Sequence, residues 1–274
     1  MSNHAEDTVF DGSIPALYDR CLGPLLFEPY AEEIARRAAA LAPSRILETA
    51  AGTGIVTAAL AAALPETEVV ATDLNPAMLE VAQARTRSPQ VSFRPADAQQ
   101  LPFRPAEFDL VVCQFGIMFF PDRIGAYREA LRVLRPGGAF LFAVWGRLED
   151  NPASIALSDA VAALFPDDPP AFLRRTPFGY NDPVLIRDDL AAAGFFGVEI
   201  ETVWRESRGN ASDAALGMCQ GSPLRAEIEA RAPERLTEAT EAAAAAIRAL
   251  GGGEQISLPM SALIVTARGP LAST

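Results

Sequence analysis

"RILETAAGTGIVT", Arg45–Thr57, runs from a short apolar segment straight into a glycine-rich turn and on into an alanine-rich segment. A turn of this kind between a strand and a helix lets backbone come close to a ligand, and the helix N-terminus beyond it presents free N–H groups. A phosphate loop would need G-x-x-x-x-G-K, which is absent. A dinucleotide fingerprint, G-x-G-x-x-G, would place its third small residue at Thr57, so that match fails where the helix should pack closest. Neither phosphate signature is complete, and the turn has to be read through its neighbours.

Working outward, apolar strand patterns alternate with helical ones. Pro29 to Leu41 reads as a helix, Arg45 to Thr49 as a strand, Gly54 to Leu64 as a helix and Glu68 to Thr72 as a strand. Asn75-Pro76 opens the next helix, because Asn caps well and Pro is tolerated at the first helical position. That helix points Met78, Leu79 and Val81 toward a core. Val91 to Phe93 and Phe108 to Phe115 read as strands, the second fully buried. In "DRIGAYREALRVL" Ile124, Tyr127, Leu131 and Leu134 share one face, and Pro136-Gly137-Gly138 is expected to stop the helix before the strand "AFLFAVW". This alternation predicts a doubly wound α/β domain with a parallel sheet.

After Gly146 the rhythm changes. A helix and a proline-rich loop are followed by a helix over Leu185 to Ala193 and a strand over Val198 to Trp204. Then come a helical stretch, about Ala211 to Leu250, and a last strand in "SLPMSALIVTAR". The simplest architecture is one sheet whose last two strands are joined by a helical insertion that acts as a cap.

Composition narrows the function. The 274 residues are half hydrophobic, with a net charge of −12, which disfavours nucleic acid or an anionic membrane as partner. No apolar run reaches the roughly 18 residues of a membrane span, and the opening residues do not read as a secretion signal, so a cytoplasmic protein is expected. All 23 basic residues are arginine. Without lysine there is neither Schiff-base chemistry nor a phosphate-loop lysine. Cys21, Cys113 and Cys219 form no C-x-x-C pair and are expected to be buried free thiols, and no metal constellation is recognisable. The single histidine, His4, sits in the N-terminal stretch, which leaves no Ser-His-Asp or Cys-His unit to assemble.

The turn has companions at the same sheet edge. Asp73 closes the second strand, about 20 residues past the turn, where a carboxylate can accept hydrogen bonds from both ribose hydroxyls. Asp97, in "RPADAQQLPF", follows the third strand and can receive the exocyclic amine of adenine. The fourth strand ends at Cys113-Gln114-Phe115, so four strand ends converge on one crevice.

On "ILETAAGTG", "VVATDLNPAMLEVAQ", "ADAQQLPF", "FDLVVCQFGIMFFPD" and "EALRVLRPGGAFLFAVW", in this order across roughly residues 45–145, the chain resembles class I S-adenosylmethionine-dependent methyltransferases. Its texture is similar to the small-molecule branch that includes the ubiquinone- and menaquinone-pathway C-methyltransferases. The resemblance implies a seven-stranded, Rossmann-like mixed sheet with helical cap insertions at about 147–182 and 206–255. It also implies an N-terminal helical cofactor-covering segment over 1–42, followed by the methyltransferase domain over 43–274.

The implied cofactor, S-adenosyl-L-methionine, has an amino-acid end and a nucleoside end but no phosphate, so no lysine is needed. By the same resemblance, backbone around Ala50, Gly52 and Gly54 contacts the methionine moiety and Glu48 orients the turn from below. Asp73 binds ribose, Leu74 packs on adenine, Asp97 with the Ala98 amide reads the adenine edge, and the Gln114 carbonyl meets the ammonium. Tyr18 closes over the methionine end. Ala50 stands where the family commonly has glycine, and its methyl group is expected to exclude left-handed backbone there.

Plainer readings stand beside these. Glu48 reads also as a buried carboxylate bonded to the turn, Asp73 and Asp97 as turn residues, and Tyr18 as a packing tyrosine. Met118, Phe119 and Phe120 are core or acceptor-site wall; Phe165, Phe172, Phe178, Tyr180 and Trp204 suggest a small hydrophobic acceptor or simple packing. "DDPPAF", from Asp167, has acidic-Pro-Pro character but follows the fifth strand, and is read as loop.

Methyl transfer is an in-line displacement accelerated mainly by alignment in a dry cavity. O- or C-methylation of an acidic acceptor needs no base, whereas an amine or alcohol would call on a carboxylate or Tyr18. No other catalytic residue is identified, and a monomer or homodimer is expected. A nicotinamide-dependent oxidoreductase and a non-catalytic S-adenosylmethionine-binding protein are the alternatives.

Overall fold

The computed structural model describes residues 14–271, so His4 lies outside the described residues. The chain divides into two compact units. One comprises Met1–Pro29, Trp145–Gly179 and Val203–Ala262; the other comprises Tyr30–Val144, Tyr180–Thr202 and Leu263–Thr274.

The second unit holds the alternating elements. Helix α2 spans Glu28–Ala40, following a short α1 (Ile14–Leu17) and a π-helical stretch, Tyr18–Phe27, that belong to the first unit. Then come β1 (Arg45–Glu48), α3 (Ile55–Ala63), β2 (Glu68–Asp73), α4 (Pro76–Arg85), β3 (Val91–Pro95), β4 (Phe108–Gln114), α5 (Arg123–Val133) and β5 (Leu134–Trp145). Each short connection has a local cause. Asn75 accepts a 2.9 Å bond from the Ala77 N–H and Asp122 a 2.8 Å bond from the Gly125 N–H, so both side chains satisfy donors that a helix start leaves open.

β1 pairs in parallel with β2 and β4, β2 with β3, and β4 with β5. Ile46, Leu47, Leu110, Val111 and Val112 are fully buried, because a parallel sheet covered on both faces leaves no solvent side. Each such side chain stabilises the fold by roughly 1.5–3 kcal/mol.

After β5 the chain forms α6 (Pro152–Ala163), α7 (Phe172–Arg175) and α8 (Pro183–Ala193). It continues with β6 (Phe196–Asn210), α9 (Ala211–Gln220), α10 (Leu224–Arg231), α11 (Leu236–Gly251) and β7 (Gln255–Arg268). In the first unit α11 packs on α6 and α9. In the second, α8 lies against α5, its start capped by Asp182 and its end by left-handed Gly194, φ +101°. The mixed sheet has seven strands in the order β3-β2-β1-β4-β5-β7-β6. "DDPP" lies in a turn before α7.

Several boundaries differ from the sequence reading. Pro136-Gly137-Gly138 does not stop a helix: α5 ends at Val133, and the triplet lies within β5, where the register shifts opposite Phe108 and Leu110. Gly137 is left-handed, φ +75°, and a Cβ on Gly138 would stand 2.9 Å from the Arg135 carbonyl oxygen, so the irregularity needs both glycines. The stretch Ala211 to Leu250 is three helices, broken at Gly221 and at Pro233.

The buried face of α5 is Ala126, Tyr127, Ala130 and Val133, with Ile124 and Leu131 only half-buried. In α4 Met78, Leu79 and Ala82 are buried and Val81 is half-buried. Ala82 takes an inner position where the turn after β1 comes close: a Cβ on Gly54 would stand only 2.9 Å from its α-carbon.

Candidate functional site

The turn after β1 owes its shape to three left-handed residues in five: Ala50 at φ +53°, Gly52 at +55° and Gly54 at +78°. This corrects the expectation for Ala50, whose methyl does not exclude the left-handed form. The surrounding contacts hold it there at the usual cost of roughly 1–2 kcal/mol. A Cβ on Gly52 would meet nothing within 4 Å, so open space faces its backbone. Gly54 differs: a Cβ there would lie 2.7 Å from the Ala82 Cβ, and its α-carbon is the close-packing point between the turn and α4.

Below the turn, Glu48 is 2 % exposed and its Oε2 accepts a 2.6 Å bond from the Thr57 hydroxyl. Burial pushes its carboxyl up to about 8, partly opposed by the Thr57 hydroxyl and reinforced by the charge of Asp73. Thr57, which spoils the dinucleotide fingerprint, thus serves the turn by holding this carboxyl group. The pairing has a sequence signal, a hydroxyl nine residues after a buried acid across a strand–turn–helix.

Asp73 ends β2. Its Oδ2 accepts a 2.8 Å bond from the Gly52 N–H, and its Oδ1 a 2.8 Å bond from the Asn75 N–H. Burial raises its carboxyl above the usual range, and the two N–H donors oppose that shift. The next residue, Leu74, is 62 % exposed, an apolar side chain left in the open directly beside a half-buried carboxylate. The chain past β3 is tied to the same edge by the Ala96 N–H donating to the Asp73 carbonyl at 3.0 Å. Asp97 Oδ1 accepts from the Gln99 N–H at 2.8 Å, and Asp97 and Ala98 are both half-buried.

β4 closes the edge. Gln114 is its last residue, and Phe115 follows at φ +55°. A Cβ on Gly116 would fall 2.6 Å from the Ala50 Cβ. The structure therefore brings Glu48, Ala50, Gly52, Gly54, Asp73, Leu74, Asp97, Ala98 and Gln114 to one carboxyl edge of the second unit. Tyr18 belongs to the first unit, where its ring stacks on Phe27 at 4.9 Å.

Of the other sequence candidates, Met118 is buried, and Phe119 and Phe120 are half-buried. Phe165, Phe172, Phe178 and Tyr180 are buried, whereas Trp204 is 51 % exposed. Tyr180 donates to Asp189 at 2.8 Å and lies 3.2 Å from the Tyr127 hydroxyl. All three cysteines are free and buried, and burial pushes Cys113 up to about 12. What sequence reading missed is the pair of left-handed residues, Ala50 and Phe115, for which side-chain identity carries no signal.

A left-handed glycine turn after β1, a carboxylate at the end of β2 and the strand order of this sheet define a Rossmann-like methyltransferase fold. Residues 47–142 match the family described as a methyltransferase domain.

Over 133 residues the chain is 37 % identical to a demethylmenaquinone methyltransferase of Deinococcus radiodurans, covering 48 % of this chain and 53 % of that one. The chain spans about half the length of the curated relatives it matches. Among solved structures it is similar to YcgJ of Bacillus subtilis, with a TM-score of 0.57 at 21 % identity over 88 % of this chain and 99 % of that one. It is also similar to the [4+2]-cyclase SpnF, with a TM-score of 0.55 at 21 % identity over 89 % and 82 %. These structural likenesses are likenesses of fold.

Proposed function

We propose that the protein binds S-adenosyl-L-methionine at the carboxyl edge of β1–β4 and transfers its methyl group to a small hydrophobic acceptor by O- or C-methylation. The observation that carries this is the Asp73 carboxylate, held by the Gly52 and Asn75 N–H groups with exposed Leu74 beside it. An oriented carboxylate suits a pair of vicinal hydroxyls, and an exposed leucine suits the flat face of a base.

The donor set fits this cofactor. The edge offers backbone N–H and carbonyl groups and carboxylates, the groups a nucleoside joined to an amino acid calls for. Glu48, kept largely protonated by burial, braces the turn without placing full negative charge beneath it. Open space at Gly52 lets backbone approach the ligand. Asp97 and the Ala98 amide would read adenine, and the Gln114 carbonyl would accept from the ammonium. Ala50 and Gly54 would shape the methionine end.

When bound, the cofactor supplies an electrophilic methyl group on a sulfonium. The chain contributes alignment and exclusion of water, and an acceptor of its own acidity needs no further base. The quinone-pathway name of the Deinococcus radiodurans relative makes a hydroxylated aromatic ring the first acceptor class to assay. Residues 147–182 and 206–255 are read as the insertions that carry acceptor specificity, residues 1–42 as the cofactor-covering segment, and the protein as a cytoplasmic monomer or homodimer without a nucleic-acid partner.

Calorimetry tests the binding. Titrated S-adenosylmethionine gives a saturable signal, and Asp73→Ala weakens it by about tenfold or more, the scale of losing a charge-assisted hydrogen-bond pair. Unchanged affinity in that variant removes Asp73 from the site. A second reading has one observation behind it: the fold neighbour SpnF, a [4+2]-cyclase. Cofactor binding with no methyl transfer across a panel of phenolic and enolic acceptors would favour that class of function.

A further inference from the structure

Phe115 is a bulky residue in left-handed backbone, φ +55°, a conformation that L-residues enter at a cost of roughly 1–2 kcal/mol. Such strain persists only where the surroundings over-determine it. Here the determinants can be named. The Phe115 N–H donates to the Ala143 carbonyl at 2.9 Å, which ties the residue to β5. Its ring, 6 % exposed, meets the ring of Tyr30 edge-on, with centroids 5.4 Å apart at 84°. Tyr30 sits near the start of α2 and is fully buried.

The left-handed step at Phe115 has a partner across the edge. It lays the Gly116 backbone so close to the turn after β1 that a Cβ there would stand 2.6 Å from the Ala50 Cβ and 2.8 Å from the Cys113 sulfur. Ala50 is itself left-handed. The alanine methyl and the missing side chain of Gly116 are therefore complementary, and strained Phe115 stands one residue before that contact.

We infer that Tyr30 is a positioning residue for the amino-acid end of the cofactor. Its ring holds Phe115 left-handed, and that sets the spacing between the Ala50 turn and the backbone of Gln114 to Gly116. The inference rests on the cofactor reading above, which assigns these two segments to the methionine moiety. Tyr30 acts through Phe115 and needs no contact with the ligand.

The experiment compares two ligands that share the nucleoside and differ in the amino-acid end, S-adenosylhomocysteine and 5′-methylthioadenosine, by calorimetry. In Tyr30→Leu the affinity for S-adenosylhomocysteine falls about tenfold or more while that for methylthioadenosine stays within about twofold, since misplacement of one subsite costs only what that subsite binds. Tyr30→Phe, which keeps the ring, restores S-adenosylhomocysteine binding to within about twofold of wild type.

Equal weakening of both ligands overturns the inference, because a merely structural tyrosine would loosen the whole edge; so does an unchanged affinity for S-adenosylhomocysteine. If Tyr30→Leu does not fold, Phe115→Ala decides. Alanine keeps the L-residue's cost of the left-handed form but offers Tyr30 no ring to hold, so the same selective loss is expected, and full affinity overturns the inference. Wild-type protein that takes neither ligand overturns the cofactor reading itself.

Discussion

Glu48 and Thr57 show how one buried acid can be tolerated. The carboxyl group is removed from water, so the neutral form is favoured, and the Thr57 hydroxyl supplies a hydrogen bond that does not require charge. The folded value near 8 lies above the ordinary 4.5, so the folded protein holds a proton that the unfolded chain has already released between those pH values. Stability contributed by the neutral form is complete below about pH 4.5 and is lost as pH rises through about 8, with a span on the order of 3–5 kcal/mol. Glu48→Gln keeps the shape and removes the titration. Chemical denaturation of the variant between pH 5 and 8.5 is therefore expected to show a flatter stability profile than wild type, and parallel profiles would contradict the assignment. The raised carboxyl of Asp73 adds a residual slope of the same sign in both proteins.

At the scale of elements, the turn after β1 packs closely on α4. The Gly54 α-carbon rests where Ala82, fully buried, presents only a methyl group. Arg85, one turn later on α4, donates to the Thr53 carbonyl at 3.0 Å and fastens the same two elements. Enlarging the contact pushes the turn away from the helix, and over-packing of this kind costs typically 1–3 kcal/mol. Ala82→Val is expected to lose about that much in urea denaturation and to weaken cofactor binding with it, whereas Val81→Ala, on the half-buried side, loses less. The sequence pattern chose Val81 over Ala82 because hydrophobicity ranks valine higher. Close approach of two backbones ranks alanine higher.

At the scale of the molecule, a ligand that binds only the folded form stabilises it by mass action. At a hundredfold excess over its dissociation constant the gain is roughly 2.7 kcal/mol. S-adenosylhomocysteine is expected to raise the unfolding midpoint of the wild-type protein by several degrees and that of Asp73→Ala by much less at the same concentration. Equal shifts in both proteins would place the ligand elsewhere. The two compact units are built from interleaved stretches of chain, with β6 and β7 each passing from one to the other between Thr202 and Val203 and between Ala262 and Leu263. No periodicity in the sequence marks those crossings, because a strand reads the same on either side of them.

By itself the sequence determined the alternation of strands and helices, the glycine turn, and the acids at the ends of β2 and beyond β3. These follow from local rules of periodicity, capping and turn chemistry that act within a few residues. Only the tertiary structure decided that Ala50 and Phe115 would be left-handed, that Thr57 would hold Glu48, and that Ala82 would take an inner position on α4. Each of those outcomes depends on atoms brought together from distant parts of the chain, where contact distance and burial outweigh the preference of any single residue.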